Sequence, residues 1–363
     1  MIGPTLPGSI LQRKRSTWGC WTAALALAAG MPAGSLAAPQ LDFLLFPAVE
    51  WRDDSDVKPA GAALDDHLFA SVNLFATISA DHFQFLGEWF FTEDGDEIQR
   101  LQFGWKFGSR DTIWLGRYHT PISYWNSAYH HGTYLQTSVS RPGIIEFEGG
   151  EGPLPTHYTG LLWEGSRSLS RGAVHYAVAL GAGPTLNGKL DPLDVADPED
   201  DHDAGLMVNL NWRPRSHDRN MIGVFGAKTQ IEDEARLFDH IDQWVFGAYV
   251  NWHWPHWRLL GAWIDVNNEI DRLGDDDFSA GYLQAEFSPG EHWTPYARYE
   301  TTRGENPDAP FLGRLDGFIL ERALAGIRFE LTSHQALTLE ISSLETVAGE
   351  SDRIVLQWSA YFP

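Results

Sequence analysis

His82-Phe83-Gln84-Phe85-Leu86-Gly87-Glu88-Trp89-Phe90-Phe91 decides the fold class. Phe83, Phe85, Gly87, Trp89 and Phe91 alternate with His82, Gln84, Leu86, Glu88 and Phe90, and a period of two is that of a strand with two different faces. The same period runs through Leu101, Phe103, Trp105 and Phe107 against Arg100, Gln102, Gly104 and Lys106. It returns at the end of the chain, where Ile354, Leu356, Trp358, Ala360 and Phe362 stand against Val355, Gln357, Ser359 and Tyr361. Working outward from these runs, strands are expected near 41–51, 67–79, 82–92, 98–108, 111–119, 157–165, 172–182, 204–213, 219–229, 243–253, 257–265, 278–287, 292–300, 317–331, 335–344 and 353–362. Most of these sixteen runs have 9 to 13 residues, the length a tilted strand needs to cross a bilayer. The runs at 111–119 and 219–229 are apolar on both faces, and Pro47 and Pro295 sit where they remove ladder donors.

The connections alternate in length. Tight turns are expected at 80–81, 108–110, 165–171, 214–218, 255–256, 289–291 and 332–334. Long loops are expected at 52–66, 120–156, 183–203, 230–242, 266–277, 301–316 and 345–352, with 93–97 as the short exception. A barrel with both chain ends on one side of a membrane needs this segregation, whereas a soluble sandwich or propeller does not. Lipid cannot satisfy backbone donors, so a membrane sheet has to close on itself.

The first residues read as an address. Arg13, Lys14 and Arg15 precede an apolar stretch from Trp18 to Met31, and Ser35-Leu36-Ala37 offers a cleavage site. The expected domains are a signal peptide at 1–37 and a barrel at 38–363. Cys20, the single cysteine, lies in the signal, which excludes disulfides and thiolate chemistry from the mature chain.

The whole chain has 363 residues, with 49 acidic and 26 basic side chains, for a net charge of −23. Loss of the three basic residues of the signal would deepen this to −26. The proposed outer loops, counted with boundary residues 119 and 353, carry 35 acidic and nine basic side chains, again −26. The charge therefore belongs to the outer face, where it would attract cations and bridge divalent ions. It argues against nucleic acid as a partner. Asp197, Glu199, Asp200, Asp201 and Asp203 form one such cluster, and Asp275, Asp276 and Asp277 another.

The 120–156 loop is of a different kind. It is the longest, nearly uncharged over its first twenty residues, and aromatic, with Tyr124, Trp125, Tyr129, His130 and His131. Arg141, Glu146, Glu148 and Glu151 follow. So apolar a loop would be poorly matched to water and well matched to the inside of a barrel.

The signal, sixteen strands, the turn–loop alternation, the long third outer loop and the C-terminal aromatic strand together resemble the Gram-negative outer-membrane porin superfamily. The resemblance implies an all-β, 16-stranded antiparallel transmembrane barrel whose third loop folds inward as a constriction, with 120–156 in that place. It implies loop carboxylates Glu146, Glu148 and Glu151 facing basic side chains of the lumen wall. On the strand register these are Arg100, Lys106, Arg117, Arg258, Arg298, Arg322 and Arg328, which could equally pair with lumen acids such as Glu50, Glu88, Glu286 and Glu340. The implied function is passive diffusion of small polar solutes or ions, leaning to cations, in the outer membrane and without an enzymatic role or cofactor. Outer-membrane lipid, small solutes, divalent cations at the acidic loops and a homotrimer are the implied partners. Pro363 after Phe362 departs from the family, and the four lysines of the mature chain, Lys58, Lys106, Lys189 and Lys228, disfavour a phosphate-selective type.

Two other classes remain open. One is a non-conducting surface or structural barrel, with the loop aromatics as packing. The other is an outer-membrane barrel enzyme of lipase or protease type, for which Ser127, Ser138 and Ser140 lie near histidines but Gly-x-Ser-x-Gly is absent. His119, His130, His131 and His157 cluster around the loop with Glu146 and Glu148, yet no spacing fixes a metal site.

Overall fold

The computed structural model describes residues 39–363 apart from 57–64, 94, 130–131, 149–151, 196–201, 216–218, 236–239, 271–273 and 305–309. The expected signal peptide lies outside the described residues. Sixteen antiparallel strands close into one barrel. They are β1 (Gln40–Asp56), β2 (Asp65–Ala80), β3 (Phe83–Thr92), β4 (Asp96–Phe107), β5 (Asp111–His119), β6 (His157–Ser168), β7 (Ala173–Ala182) and β10 (Ala204–Arg213). The second half is β11 (Met221–Glu232), β12 (His240–His253), β13 (Trp257–Ile270), β14 (Gly274–Phe287), β15 (Trp293–Arg303), β16 (Ile319–Thr332), β17 (Gln335–Thr346) and β18 (Gly349–Ala360). A small hairpin, β8 (Thr185–Leu186) and β9 (Leu190–Asp191), sits in the fourth outer loop. Each barrel strand pairs with its chain neighbour, and β1 pairs with β18 from Ala48↔Ser359 to Asp56↔Ser351. Closure continues to the chain end, where Leu45 and Phe362 exchange two backbone hydrogen bonds of 2.9 Å.

Every expected strand is present. Those flanking the long loops run further toward the loop end than the pattern indicated, for example to Ile270 on β13 and from Gly274 on β14. Strand β13 shows why. Trp257, Leu259, Gly261 and Trp263 alternate with Arg258, Leu260, Ala262 and Ile264 over about 20 Å of strand. Beyond that apolar band the outward positions become Asp265, Asn267 and Glu269, while the inward ones stay buried. Those polar side chains bond across the ladder: Ser279 Oγ donates to Asp265 at 2.6 Å and Asn267 Nδ2 to Asp277 at 2.6 Å. The strands thus rise out of the lipid zone as a polar collar, and apolar alternation ends before the ladder does.

At the turn end, outward aromatics form a girdle. Trp105, Trp254, Trp257 and Trp293 are exposed, with Trp257 4.6 Å from Phe287 and Trp293 4.3 Å from Phe329 between ring centroids. Such rings sit at a membrane interface, with their apolar body toward lipid and their polar edge toward water.

Candidate functional site

The third loop leaves β5 at His119 and returns at His157, and both its roots are stapled. Thr120 N–H donates to Thr156 O at 2.9 Å, Thr120 Oγ1 to Pro155 O at 2.8 Å, and Asn126 Nδ2 to Thr120 O at 2.8 Å and Thr156 O at 3.1 Å. A single-turn helix, α1 (Ser123–Ala128), follows, with Ser123 in the left-handed region at φ 56°. Its apolar side chains explain the inward path. Ile122, Trp125, Ile145 and Leu154 are fully buried, and Trp125 packs edge-on against Tyr129 at 5.1 Å and Tyr282 of β14 at 6.2 Å. Removing each aliphatic side chain of this set from water contributes about 1.5–3 kcal/mol.

From there the loop crosses the barrel and is bonded to the far wall along β14–β17. Thr137 Oγ1 donates to Glu286 at 2.9 Å. Val139 N–H and Ser140 N–H donate to Glu340 at 3.0 and 3.1 Å, and the Ser140 hydroxyl donates to the same carboxylate. Gly143 N–H donates to Glu300 at 2.7 Å. In return, wall arginines donate to loop carbonyls. Arg298 reaches Ser140 O at 2.9 Å, Arg141 O at 3.0 Å and Ser138 Oγ at 3.1 Å. Arg322 reaches Arg141 O, and Arg328 reaches Gln136 O at 2.7 Å. The arginines are neutralised within the wall, Arg298 and Arg322 by Glu300, Arg328 by Glu330 and Arg258 by Glu286. Deepest of all, Tyr134 hydroxyl donates to Ser333 O at 2.9 Å, in a turn at the opposite end of the barrel.

The wall arginines thus pair with lumen acids, the alternative that the sequence left open, Arg100 with Glu88 and Arg258 with Glu286 among them. Wall carboxylates take the loop's N–H groups, and wall arginines take its carbonyls. Among the described residues Glu148 is paired with His157 and with no wall arginine: it accepts from Thr156 N–H at 2.6 Å, Thr156 Oγ1 at 2.5 Å, His157 N–H at 2.9 Å and His157 Nδ1 at 2.7 Å. Burial pushes its carboxyl up, but the imidazole and these donors outweigh it and hold it below the ordinary value. Glu146 is half-buried and lies 4.0 Å from Arg141 of the same loop. Arg141, itself buried, donates to Ile145 O at 3.0 Å and Asn126 Oδ1 at 3.2 Å and lies over the Phe147 ring at 3.9 Å. Burial brings its guanidinium down to about 10, so it stays charged at neutral pH. His130, His131 and Glu151 lie outside the described residues.

The remaining wall cations are scattered. Arg100 pairs with Glu88, which also accepts from Asn73 Nδ2 at 2.7 Å. Arg117 holds the fourth outer loop, donating to Leu193 O at 2.8 Å and to Glu97 at 2.7 Å. Lys106 is half-buried near the turn end of β4. Arg258 lies 5.5 and 5.4 Å from the rings of Tyr124 and Tyr129. His119 and His157 stack edge-on at 5.1 Å. Among the described residues no group of three or more His, Cys, Asp or Glu is placed to hold a metal ion. Glu300, Gln284 and Asn126 escaped the sequence reading. The period that put Arg298 inside also puts Glu300 inside, two residues on.

Two further features divide the interior. In the outer half, beside β11–β16, lumen-facing Ile231, Ile241, Val245, Ile264, Val266 and Phe278 pack with Phe311, Leu312, Leu315 and Phe318 of the seventh loop and Leu186 and Leu190 of the hairpin. Arg314 to Asp233 at 2.8 Å and Leu312 N–H to Asp276 at 2.9 Å tie this lid down. At the turn end, beneath α1, a cavity of about 490 Å³ opens between β3–β7 and β10–β12. Arg100, Gln102, His119, Glu164, Asn211, Arg213 and Tyr249 are among its walls.

No protein-family model and no curated protein sequence matches the chain. Solved structures do. An anion-selective porin from Comamonas acidovorans superposes with a TM-score of 0.61 at 11% identity over 89% of this chain and 100% of that one. In-vitro folded OmpT, an outer membrane protein of Vibrio cholerae, gives 0.59 at 10% identity over 90% and 98%. OmpF of Salmonella typhi, in complex with daunomycin, gives 0.58 at 10% identity over 89% and 97%. In fold, the chain is similar to the Gram-negative outer-membrane porins, a sixteen-stranded antiparallel barrel with a long third loop lying inside it.

Proposed function

We propose that the protein is an outer-membrane channel of the porin type, passing small polar solutes by passive diffusion through a narrow space beside the third loop. The observation that carries this reading is that the middle of the loop, 136–143, is bonded to the β14–β17 wall, while Asn209 of β10 and Gln243 of β12 hold its roots at Pro121 O (2.7 Å) and Pro153 O (3.0 Å). The bonds of 136–143 run to β14–β17, while the turn-end cavity opens between β3–β7 and β10–β12, where Gln102, Arg100 and Glu164 offer a polar wall. Exposed carboxylates at the loop end, among them Glu269, Asp275, Asp277, Glu345, Glu350 and Asp352, favour cations at the outer mouth. An enzymatic role is not part of this reading. Ser127 donates to Ser123 O and Ser140 to Glu340, so these hydroxyls are engaged in holding the loop. The acidic outer loops are the site for divalent cations, and a homotrimer in outer-membrane lipid is the expected assembly.

Single-channel recording in planar bilayers tests the proposal. Discrete conductance steps with a reversal potential favouring cations are expected; silence at all voltages sinks it. A second reading, a closed structural barrel, is favoured by the apolar core beneath the lid, which packs Ile231, Ile241, Val245, Ile264 and Val266 of the wall against loop side chains. Its signature is a silent wild type that conducts once Glu300 and Glu340 are changed to alanine.

A further inference from the structure

We propose that three neighbouring turns at the turn end of the barrel form a docking arc for the headgroups of anionic phospholipids in the leaflet they face. The turns join β4 to β5, β6 to β7 and β10 to β11, and they are adjacent hairpins because β5 pairs with β6 and β7 with β10. Neighbouring hairpins stand about 10 Å apart, twice the spacing of strands. Arg110, Arg171, Arg215 and Arg219 lie in these turns and are exposed. Their pairing separates them from the arginines of the lumen. Arg100, Arg258, Arg298, Arg322 and Arg328 each face a carboxylate, whereas among the described residues the turn arginines make no ion pair. In a chain of net charge −23, cations gathered on one arc without acids to neutralise them attract an outside anion.

Each turn is pinned at an arginine. Arg110 O accepts from Ser166 N–H at 3.2 Å, Arg171 O from Trp212 Nε1 at 3.1 Å and Arg219 O from Asn251 Nδ2 at 2.8 Å. The surroundings set the depth. Trp212, Trp163 and the turn residue Leu169 are exposed large apolar side chains, so the arginines stand where the apolar band meets water. That is the level of lipid headgroups, a depth that a soluble acidic partner would not require. A phosphodiester there meets planar forks of N–H donors rather than point charges. The acids nearby are engaged: Asp111 accepts from Arg167 at 2.9 and 3.1 Å, and Glu164 from Trp114 Nε1 at 2.9 Å. Asp81, exposed in the β2–β3 turn, stands one hairpin beyond the arc, and Asp218 lies outside the described residues. The inference rests on the barrel spanning a membrane, and conduction plays no part in it.

Native mass spectrometry of the full chain refolded in detergent, titrated with phosphatidylglycerol or phosphatidylcholine of the same acyl chains, tests the arc. Phosphatidylglycerol should bind roughly tenfold more tightly, and the preference should shrink as salt rises. Arg110→Gln, Arg171→Gln, Arg215→Gln and Arg219→Gln together should bring the two lipids close to parity. Folding is checked by gel migration with and without heating. Should the fourfold variant not fold, Arg110→Gln with Arg171→Gln replaces it and should lower the preference to about threefold. Glycerol phosphate and polyglutamate, anions without acyl chains, should not displace phosphatidylglycerol at equal concentration. Equal binding of the two lipids, an unchanged preference in a folded variant, or displacement by either competitor would each overturn the proposal. Displacement by polyglutamate would make the partner a soluble acidic polymer instead. A barrel silent in planar bilayers that keeps the lipid preference upholds the arc and sinks the channel reading alone.

Discussion

Glu340→Ala is the sharpest perturbation of the third loop. The carboxylate accepts from Val139 N–H at 3.0 Å, Ser140 N–H at 3.1 Å, the Ser140 hydroxyl and Tyr296 hydroxyl at 2.8 Å, and it is itself buried. Its removal leaves two loop amides without a partner in a dry site, at about 1–3 kcal/mol each. Because neighbouring losses are not additive, a loss of about 3 kcal/mol in loop docking is the reasoned figure. That corresponds to roughly a hundredfold change in the docked-to-released ratio. The β16–β17–β18 ladder is made by backbone groups and should survive. Hydrogen exchange read by mass spectrometry should therefore show amides 137–143 exchanging about a hundred times faster, with the barrel strands unchanged. Glu340→Gln, which keeps one acceptor in place, should fall between. Exchange of 137–143 identical to wild type in a folded Glu340→Ala barrel would refute the claim that wall carboxylates hold the loop.

Four other outcomes are expected. Trp125→Ala removes a fully buried ring between Tyr129 and Tyr282 and should destabilise the barrel by about 3–5 kcal/mol, measured by detergent-phase thermal or urea unfolding. Gly116 holds φ +128°, and a Cβ there would lie 1.9 Å from Leu101 O, so Gly116→Ala should sharply lower the refolded fraction on gels. Glu148 is depressed below its ordinary 4.5, so its stabilisation is complete above that value and disappears as pH falls through the lower folded pKa. Exchange at Thr156 and His157 should accordingly rise in acid for wild type and be nearly flat with pH in Glu148→Gln. Neutralising Asp275 and Asp277 together should reduce cation preference in reversal-potential measurements, more at low salt than at high.

The barrel could be read from the chain because lipid imposes a period of two that sequence alone displays. Where lipid stops, the signal stops. Asp265, Asn267 and Glu269 face water, their inward neighbours face a packed lid, and nothing in their order marks a strand end, so the collar read as loop. The inward path of the third loop was legible from Trp125, Tyr129 and their neighbours. The polarity of its attachment was not. Glu148 and Arg298 had the right types for a loop-to-wall pair, but their partners depend on three-dimensional distance: Thr156 and His157 take the first, and loop carbonyls take the second. Backbone groups carry most of the wall's bonds to the loop, and backbone groups have no letter in a sequence.

One consequence concerns the seam where the barrel closes. The tip of the third loop lies beside the seam: Tyr134 packs 5.2 Å from Tyr361, and Tyr361 N–H is bonded to His334 O next to the β1–β18 junction. The loop is rooted between β5 and β6, made long before the last strand. The third loop and the chain end thus meet at one place, so that what secures the closure of the sheet also secures the loop tip, with Tyr134 as the residue that joins them.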